Sequence, residues 1–385
     1  MINNNYLGNL ADFEAHIRAN SSGNITVYGS HFTSVAPVQT GTSNSGIFLV
    51  NTSLTVAHSG AISSTFNGFY YGILATHSGT SPVVKIYSTH FENNLYGVAM
   101  SGINYAELLY NKFNVTLNNS CGALINSSTG YKIEENIFLG NPPNKTTGLV
   151  IFKSGGDENE VYLNEFYNLR IGQQFLDKNS SQTDSIVHIP DTSAVIIKGA
   201  PQVTGLQTIC NRFEDNQFRD ILVGIESQNN IYTKLSIRQN QGSMQQSAGN
   251  KFITSLPTHF ENKSQHNIEY FYGTKSAEIP TWSGLFNLNG ASSSHRCTTI
   301  AHPPPDPILP QYDEWNEEYE YWLAQLLDTE EGSEEYTMLF DKVSYLSALK
   351  DNYFNGIIVA ASGSEVSGER YEVRGDEVRG MRYEV

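Results

Sequence analysis

Up to about residue 310 the chain consists of short apolar runs of four to seven residues, in which β-branched or aromatic positions alternate with polar ones, and Asn, Gly and Ser mark the breaks. A period of two puts one face of each run inside and one outside, so the runs predict strands; no stripe at helical spacing interrupts them. Their order is also fixed. A strand-like run leads into the triplet Asn-x-Phe, then a polar turn, then Gly with an apolar residue, as in Val83 to Phe91, Glu92 to Tyr96 and Gly97 to Met100.

The triplet stands at Asn111–Phe113, Asn136–Phe138, Asn164–Phe166, Asn211–Phe213 and Asn250–Phe252, with Ser or Thr in place of Asn ahead of Phe32, Phe66 and Phe91. From Phe66 to Phe166 the successive Phe positions lie 25, 22, 25 and 28 residues apart. That spacing is one coil of a solenoid, and the fold it predicts is all-β, a right-handed parallel β-helix over residues 1–302. Each coil would add a parallel strand about 4.8 Å from the last, so equivalent side chains stack. Phe66, Phe91, Phe113, Phe138 and Phe166 are then an inward aromatic column. Asn111, Asn136 and Asn164 suit a tight turn, through left-handed backbone or hydrogen bonds along their own stack. Gly72, Gly97, Gly122 and Gly148 are expected at turns that need positive φ or a close approach of coils.

After Phe166 the intervals widen to 47 and 39 residues. Either a coil lacks its Phe or loops are inserted, and Ser185–Ile189 with Ala194–Lys198 reads as a missing coil. Insertions on solenoids project to one side, which makes Ser227–Gln246, rich in Asn, Gln and Ser, the expected binding surface.

Residues 303–310 are a Pro-rich linker that cannot continue a sheet. Beyond it Trp315, Tyr319, Trp322, Leu323 and Leu326, then Tyr336, Leu339, Phe340, Val343 and Leu346, recur at helical spacing and predict an α-helical hairpin over 311–354 with an acidic, solvated face. Residues 355–385 repeat the word Arg-Tyr-Glu-Val-Arg-Gly with almost no core-forming side chains, and are expected to be disordered. Met1 to Gly8 has neither the basic nor the apolar region of a secretory signal, so either the chain stays inside or its true N-terminus is missing; with two helices too few to stand alone at the other side, a chain cut short at both ends is expected.

Charge and chemistry narrow the functions. A formal net charge of −16 argues against nucleic acid and anionic membranes as partners, and no run is long enough to span a bilayer. Cys121, Cys210 and Cys297 lack zinc-ligand spacing and read as buried small hydrophobes, with a Cys210–Cys297 disulfide left open. His31 and His90 read as coil-surface residues, and Asp157–Glu160 as a turn, with calcium capture its alternative. The Asn-Thr-Asp, Asp-Asp, Gly-His-Gly and Arg-Ile-Lys motifs of inverting pectin hydrolases are absent, as are the nucleophile elbow, zincin, phosphate-loop and dinucleotide motifs. Arg170, Arg212, Arg219 and Arg238 do not recur at one coil position beside carboxylates, as a lyase would need. No catalytic, cofactor or metal residue is assigned.

Taken together, the Asn-x-Phe coils, Gly249–Phe252 leading into Asn267–Tyr272, Cys297, and the Pro joint with helices after it resemble the large secreted β-helix proteins of Bacteroidetes exported by type IX secretion, over residues 1–355. The tail resembles the runs that arise when a genomic repeat of some Bacteroidetes is read as protein, which implies a truncated gene product. The resemblance implies a secreted or outer-surface location, with missing segments of the parent chain among its partners. The function expected is a non-catalytic structural or adhesive module, not an enzyme, meeting glycans or surface proteins. The alternative is a carbohydrate-active β-helix of polysaccharide lyase or glycoside hydrolase type, and carboxylates clustered with Arg or aromatic residues on one outer sheet would favour it.

Overall fold

The computed structural model describes residues 15–34, 44–59, 62–78, 82–181, 204–225, 237–264 and 266–298, with isolated positions between 325 and 343. Every paired strand within it runs parallel to its neighbour, and the coils stack into three long sheets. Sheet A holds ten strands in chain order, from Ala15–Asn20 through Cys121–Asn126 to Trp282–Gly284. Sheet B holds seven, from Ile25–Tyr28 to Leu206–Ile209, and sheet C eight, from His31–Thr33 to Lys251–Phe252. A final three-stranded sheet joins Asn240–Gln241, Ile268–Tyr272 and Phe286–Gly290. The architecture is the expected all-β parallel solenoid.

One core runs the length of the coils. At its centre Phe32, Phe66, Phe91, Phe113, Phe138, Phe166, Phe213 and Phe252 form an unbroken column, successive ring centroids 4.7 to 5.5 Å apart and nearly coplanar in tilt. Because Phe166 stacks directly on Phe213 at 5.2 Å, and Phe213 on Phe252, no coil lacks its Phe between these rings. The wide intervals are insertions between adjacent coils. Of the two segments read as a missing coil, Ser185–Ile189 and Ala194–Lys198, both lie outside the described residues.

Asn111, Asn136, Asn164, Asn211 and Asn250 make a buried amide ladder. The Asn136 Oδ1 accepts from both the backbone N–H (2.9 Å) and the Nδ2 (3.0 Å) of Asn111, and its own N–H and Nδ2 donate to Asn164 Oδ1 at 3.0 and 2.9 Å. Its Nδ2 also reaches back to the Leu108 carbonyl at 2.8 Å. The pattern continues through Asn164, Asn211 and Asn250. The left-handed residue is the one before each Asn: Tyr110, Glu135, Leu163, Cys210 and Gly249 all have positive φ. The side-chain stack, not a left-handed Asn, is what the triplet encodes.

The glycines serve close approach alone. Gly72, Gly97, Gly122 and Gly148 lie inside sheet A strands, where an added Cβ would meet the next coil's carbonyl oxygen at 2.5 to 2.7 Å and a ring of the Phe column at 2.6 to 2.9 Å. The turn placement with positive φ expected for them is therefore corrected.

Cys210 and Cys297 form a disulfide, and Cys121 is a buried free thiol. From residue 308 onward the chain forms a separate unit. In it Gln325, Leu326, Tyr336, Leu339, Phe340 and Val343 are helical, and Leu326, Leu339 and Val343 pack together against Tyr336. The linker at 303–310, the rest of the 311–354 hairpin and the 355–385 tail fall outside the described residues.

Replacing Asn136 by Ala would strand the N–H and amide of Asn111 and the Leu108 carbonyl without their buried partners. At about 1 to 3 kcal/mol for each orphaned group, urea unfolding of Asn136→Ala should show a loss of at least ~3 kcal/mol, well above that of an exposed Asn→Ala control such as Asn93→Ala.

Candidate functional site

The in-register coils turn single positions into rows along each outer face, and the faces differ in chemistry. Sheet A presents Phe48, Leu74, Ala99, Leu124 and Val150 along its middle, an apolar row flanked by Arg18 at one end and by Gln174 and Glu261 toward the other. Sheet B alternates sign through Lys85, Glu107, Lys132 and Glu160, with Lys85 Nζ 3.6 Å from Glu107. Burial, then the charges of Glu134 and Glu158, raise the Glu160 pKa above its ordinary value. Next to Glu160 along this strand, the Tyr162 hydroxyl donates to the Thr298 carbonyl at 2.9 Å, which lays the segment ending at 298 over this end of the sheet.

Sheet C carries a different arrangement near its C-terminal end. Glu165 pairs across the ladder with Arg212, and Tyr167 with Glu214, so four outward side chains form a two-by-two tile with the carboxylates at opposite corners. The Tyr167 hydroxyl donates to Glu165 Oε2 at 2.6 Å, and Arg212 donates to Glu214 Oε2 through Nε at 3.1 Å and Nη2 at 2.6 Å. The guanidinium lies 6.0 Å from the Tyr167 ring centroid. Burial and the bond to Glu165 push the Tyr167 phenol up to about 12, so it keeps its proton and stays a donor. The tile has an apolar side in half-buried Ile137 and Leu139 of the preceding coil. On the other side Lys251 follows Arg212, and leads to an open pocket of about 430 Å³ lined by Lys251, Lys275, Arg296, the buried Glu278 and His295.

The arginines stand at different places in the coils, as read from the sequence, and three of them meet carboxylates. Arg212 meets Glu214, Arg219 Nε lies 2.9 Å from Glu261, and Arg238 Nη1 lies 3.4 Å from Glu158. Glu214 lies two residues from Arg212, whereas the other two carboxylates were invisible as partners because they lie on other coils, 42 and 80 residues away. Asp157–Glu160 opens on a bend whose Asp157 accepts from Thr129, with no ion pair to Arg238 beyond that of Glu158. His31 and His90 stand on the outer face of sheet C, as expected of coil-surface residues. In the expected binding surface, 227–236 lies outside the described residues. From 237 on the chain is part of the wall, with Ile237 and Gln241 buried and Gln241 bonded to the Leu206 carbonyl at 3.1 Å.

Sequence reasoning missed a buried pair. The glycine column of sheet A, which ends at Gly172, continues on the next coils as Asp220 and His259. Asp220 Oδ1 accepts from Asn216 at 2.8 Å, while its Oδ2 lies 4.0 Å from His259 Nε2. His259 Nδ1 accepts from the Thr281 N–H at 2.9 Å, which leaves the proton on Nε2 to be donated to the Thr254 carbonyl at 2.6 Å. Burial raises the Asp220 carboxyl to about 7 and lowers the His259 ring below its ordinary value, so both favour the neutral form. Only the break in the run of glycines from Gly46 to Gly172 signals the pair.

No protein-family model matches the chain, and no curated protein matches it in sequence. Two solved structures align with the chain over part of its length. A periplasmic alginate epimerase, AlgG, aligns with 11% identity over 71% of this chain and 74% of its own, at a TM-score of 0.23. The catalytic domain of a GH87 alpha-1,3-glucanase, in complex with tetrasaccharides, aligns with 11% identity over 71% of this chain and 64% of its own, at a TM-score of 0.21. Both are carbohydrate enzymes by name. The expectation of a non-catalytic module that is no enzyme is corrected here: sheet C bears the clustered carboxylates, Arg and aromatic ring set out as the mark of its carbohydrate-active alternative. Among the described residues no helix is long and apolar enough to cross a membrane.

Asp220 gives a pH test of the buried pair. Its folded pKa lies above its unfolded value near 4, so stability is fully present below pH ~4, falls as pH rises toward ~7, and is level above that. The whole fall is on the order of 4 kcal/mol. Asp220→Asn should therefore be more stable than the parent at pH 8 and little different at pH 4, read from urea midpoints; a difference independent of pH would sink the assignment.

Proposed function

We propose that this chain is a carbohydrate-active β-helix that cleaves a polysaccharide on the outer face of sheet C, with Glu165 and Glu214 as its acid–base pair. The Glu165, Tyr167, Arg212, Glu214 tile carries the reading. Paired carboxylates on either side of a sugar can share protonation of the leaving oxygen and activation of water, or abstraction of a ring proton. Tyr167 and Arg212 fix the two carboxylates in place and offer a ring and a cation to the sugar. A polymer lying along the coils would pass from the Ile137 and Leu139 shelf over the tile to the pocket beyond Lys251.

The charges along that path favour an acidic polymer. In a chain of net charge −16, Arg212, Lys251, Lys275 and Arg296 gather on one route, and such cations attract carboxylated or sulfated sugars. The reading takes with it the location implied by the Bacteroidetes resemblance, secreted or at the outer surface after type IX export. Peptides of this chain in culture medium or envelope fractions would support that location, and their confinement to the cytoplasm would oppose it.

Activity is tested on a panel of polyuronates, sulfated polysaccharides and neutral glucans, reading reducing ends together with absorbance of unsaturated products near 235 nm. Release is expected from an acidic polymer. Glu165→Gln and Glu214→Gln should each lower it by at least ~100-fold, in line with loss of an acid–base group, with unchanged unfolding midpoints. Full activity in both variants would overturn the site.

A further inference from the structure

A second constellation, separate from the tile, lies where the last coil is tied down. Cys210 and Cys297 are bonded to each other, and His295 Nδ1 stands 3.1 Å from Cys210 Sγ. The three donor atoms all lie within 4.8 Å of one another. That is the compass of a tetrahedral zinc site, where Zn–S of about 2.3 Å and Zn–N of about 2.0 Å set donor-to-donor edges of roughly 3.5 to 3.8 Å.

Gly249 shows that space is kept there. It holds the left-handed position before Asn250, yet Tyr110, Glu135, Leu163 and Cys210 fill the equivalent positions at positive φ, so conformation does not demand glycine. What does is room: a Cβ at 249 would stand 2.8 Å from both Cys297 Sγ and His295 Cβ, and 3.1 Å from Cys210 Sγ. His295 and Cys297 also face the open pocket, which gives a fourth ligand, water or solute, a way in. The segment Ser292–Thr298 belongs to no strand.

We propose that Cys210, Cys297 and His295 form a redox-gated site for a divalent zinc-class metal ion, closed while the cysteines are a disulfide and opened by a dithiol reductant. The reductant gives two electrons and two protons, breaking the S–S bond to two thiols while it closes to its own disulfide. Metal binding then displaces the two thiol protons to solvent, and both thiolates with His295 Nδ1 hold the ion, leaving one position toward the pocket. Either state fastens the segment around Cys297 to the coil of Cys210: a covalent bond when oxidised, a metal bridge when reduced.

The test uses the full chain with zinc and cobalt(II) alone as probes. After reduction by a phosphine and its removal under anaerobic conditions, one equivalent of zinc should bind by titration calorimetry, and cobalt(II) should give thiolate charge-transfer absorption near 340 nm with tetrahedral bands in the visible. The oxidised chain should bind neither. Cys297→Ser should abolish the charge-transfer band, with near-UV circular dichroism confirming the fold. His295→Gln leaves the disulfide intact, so its folding is that of the parent, and it should weaken zinc at least tenfold after reduction. Absence of uptake by the reduced, folded parent, or unchanged affinity in His295→Gln, would overturn the proposal.

Discussion

The structure depends on keeping every coil in one register, and the buried Asn ladder is the interaction that enforces it. Each amide accepts two N–H groups from the preceding coil's Asn and donates both to that coil's carbonyl and to the next Asn. A slip of one residue would leave all of these groups unpaired in the core, where each costs far more than a hydrogen bond returns. The Phe column alone tolerates sliding, since apolar contacts are non-directional. Amide geometry is what makes the stack single-valued.

Fixed register also explains how a surface site arises without a motif. Glu165 and Arg212 are 47 positions apart in the chain yet occupy one rung. Glu214 and Tyr167 occupy the next outward rung position. The same logic allows loops of different length to leave the wall while Phe166 still stacks on Phe213. Insertions change the outer edge of a coil but not the inward column, so they alter the repeat interval without altering the core.

The end of the solenoid shows what replaces the repeat when it stops. Asp220 and His259 take over from the glycines that run from Gly46 to Gly172, and Phe260 packs edge-on against Tyr270 and Phe286 where the Phe column ends. The Cys210–Cys297 disulfide fastens the chain 87 residues on, beside the last rung of the Asn ladder. Terminal coils lack a neighbour to cover them, so such ties do the work that stacking does elsewhere.

The coil period, the inward Phe residues and the parallel all-β class were legible in the sequence, because a stack demands the same residue at the same height in every turn, and repetition is what a linear reading detects. The role of the Asn was half-legible: its stacking was anticipated, but the left-handed turn belongs to the residue before it, whose identity varies from Tyr to Glu to Leu. Nothing in the order of residues joined Arg212 to Glu165, Arg219 to Glu261, or His295 to Cys210. Those pairs depend on how many residues each insertion spends before the chain rejoins the wall, and that length is free in sequence. Only the tertiary register, set by buried amides and rings, decides which outward side chains meet.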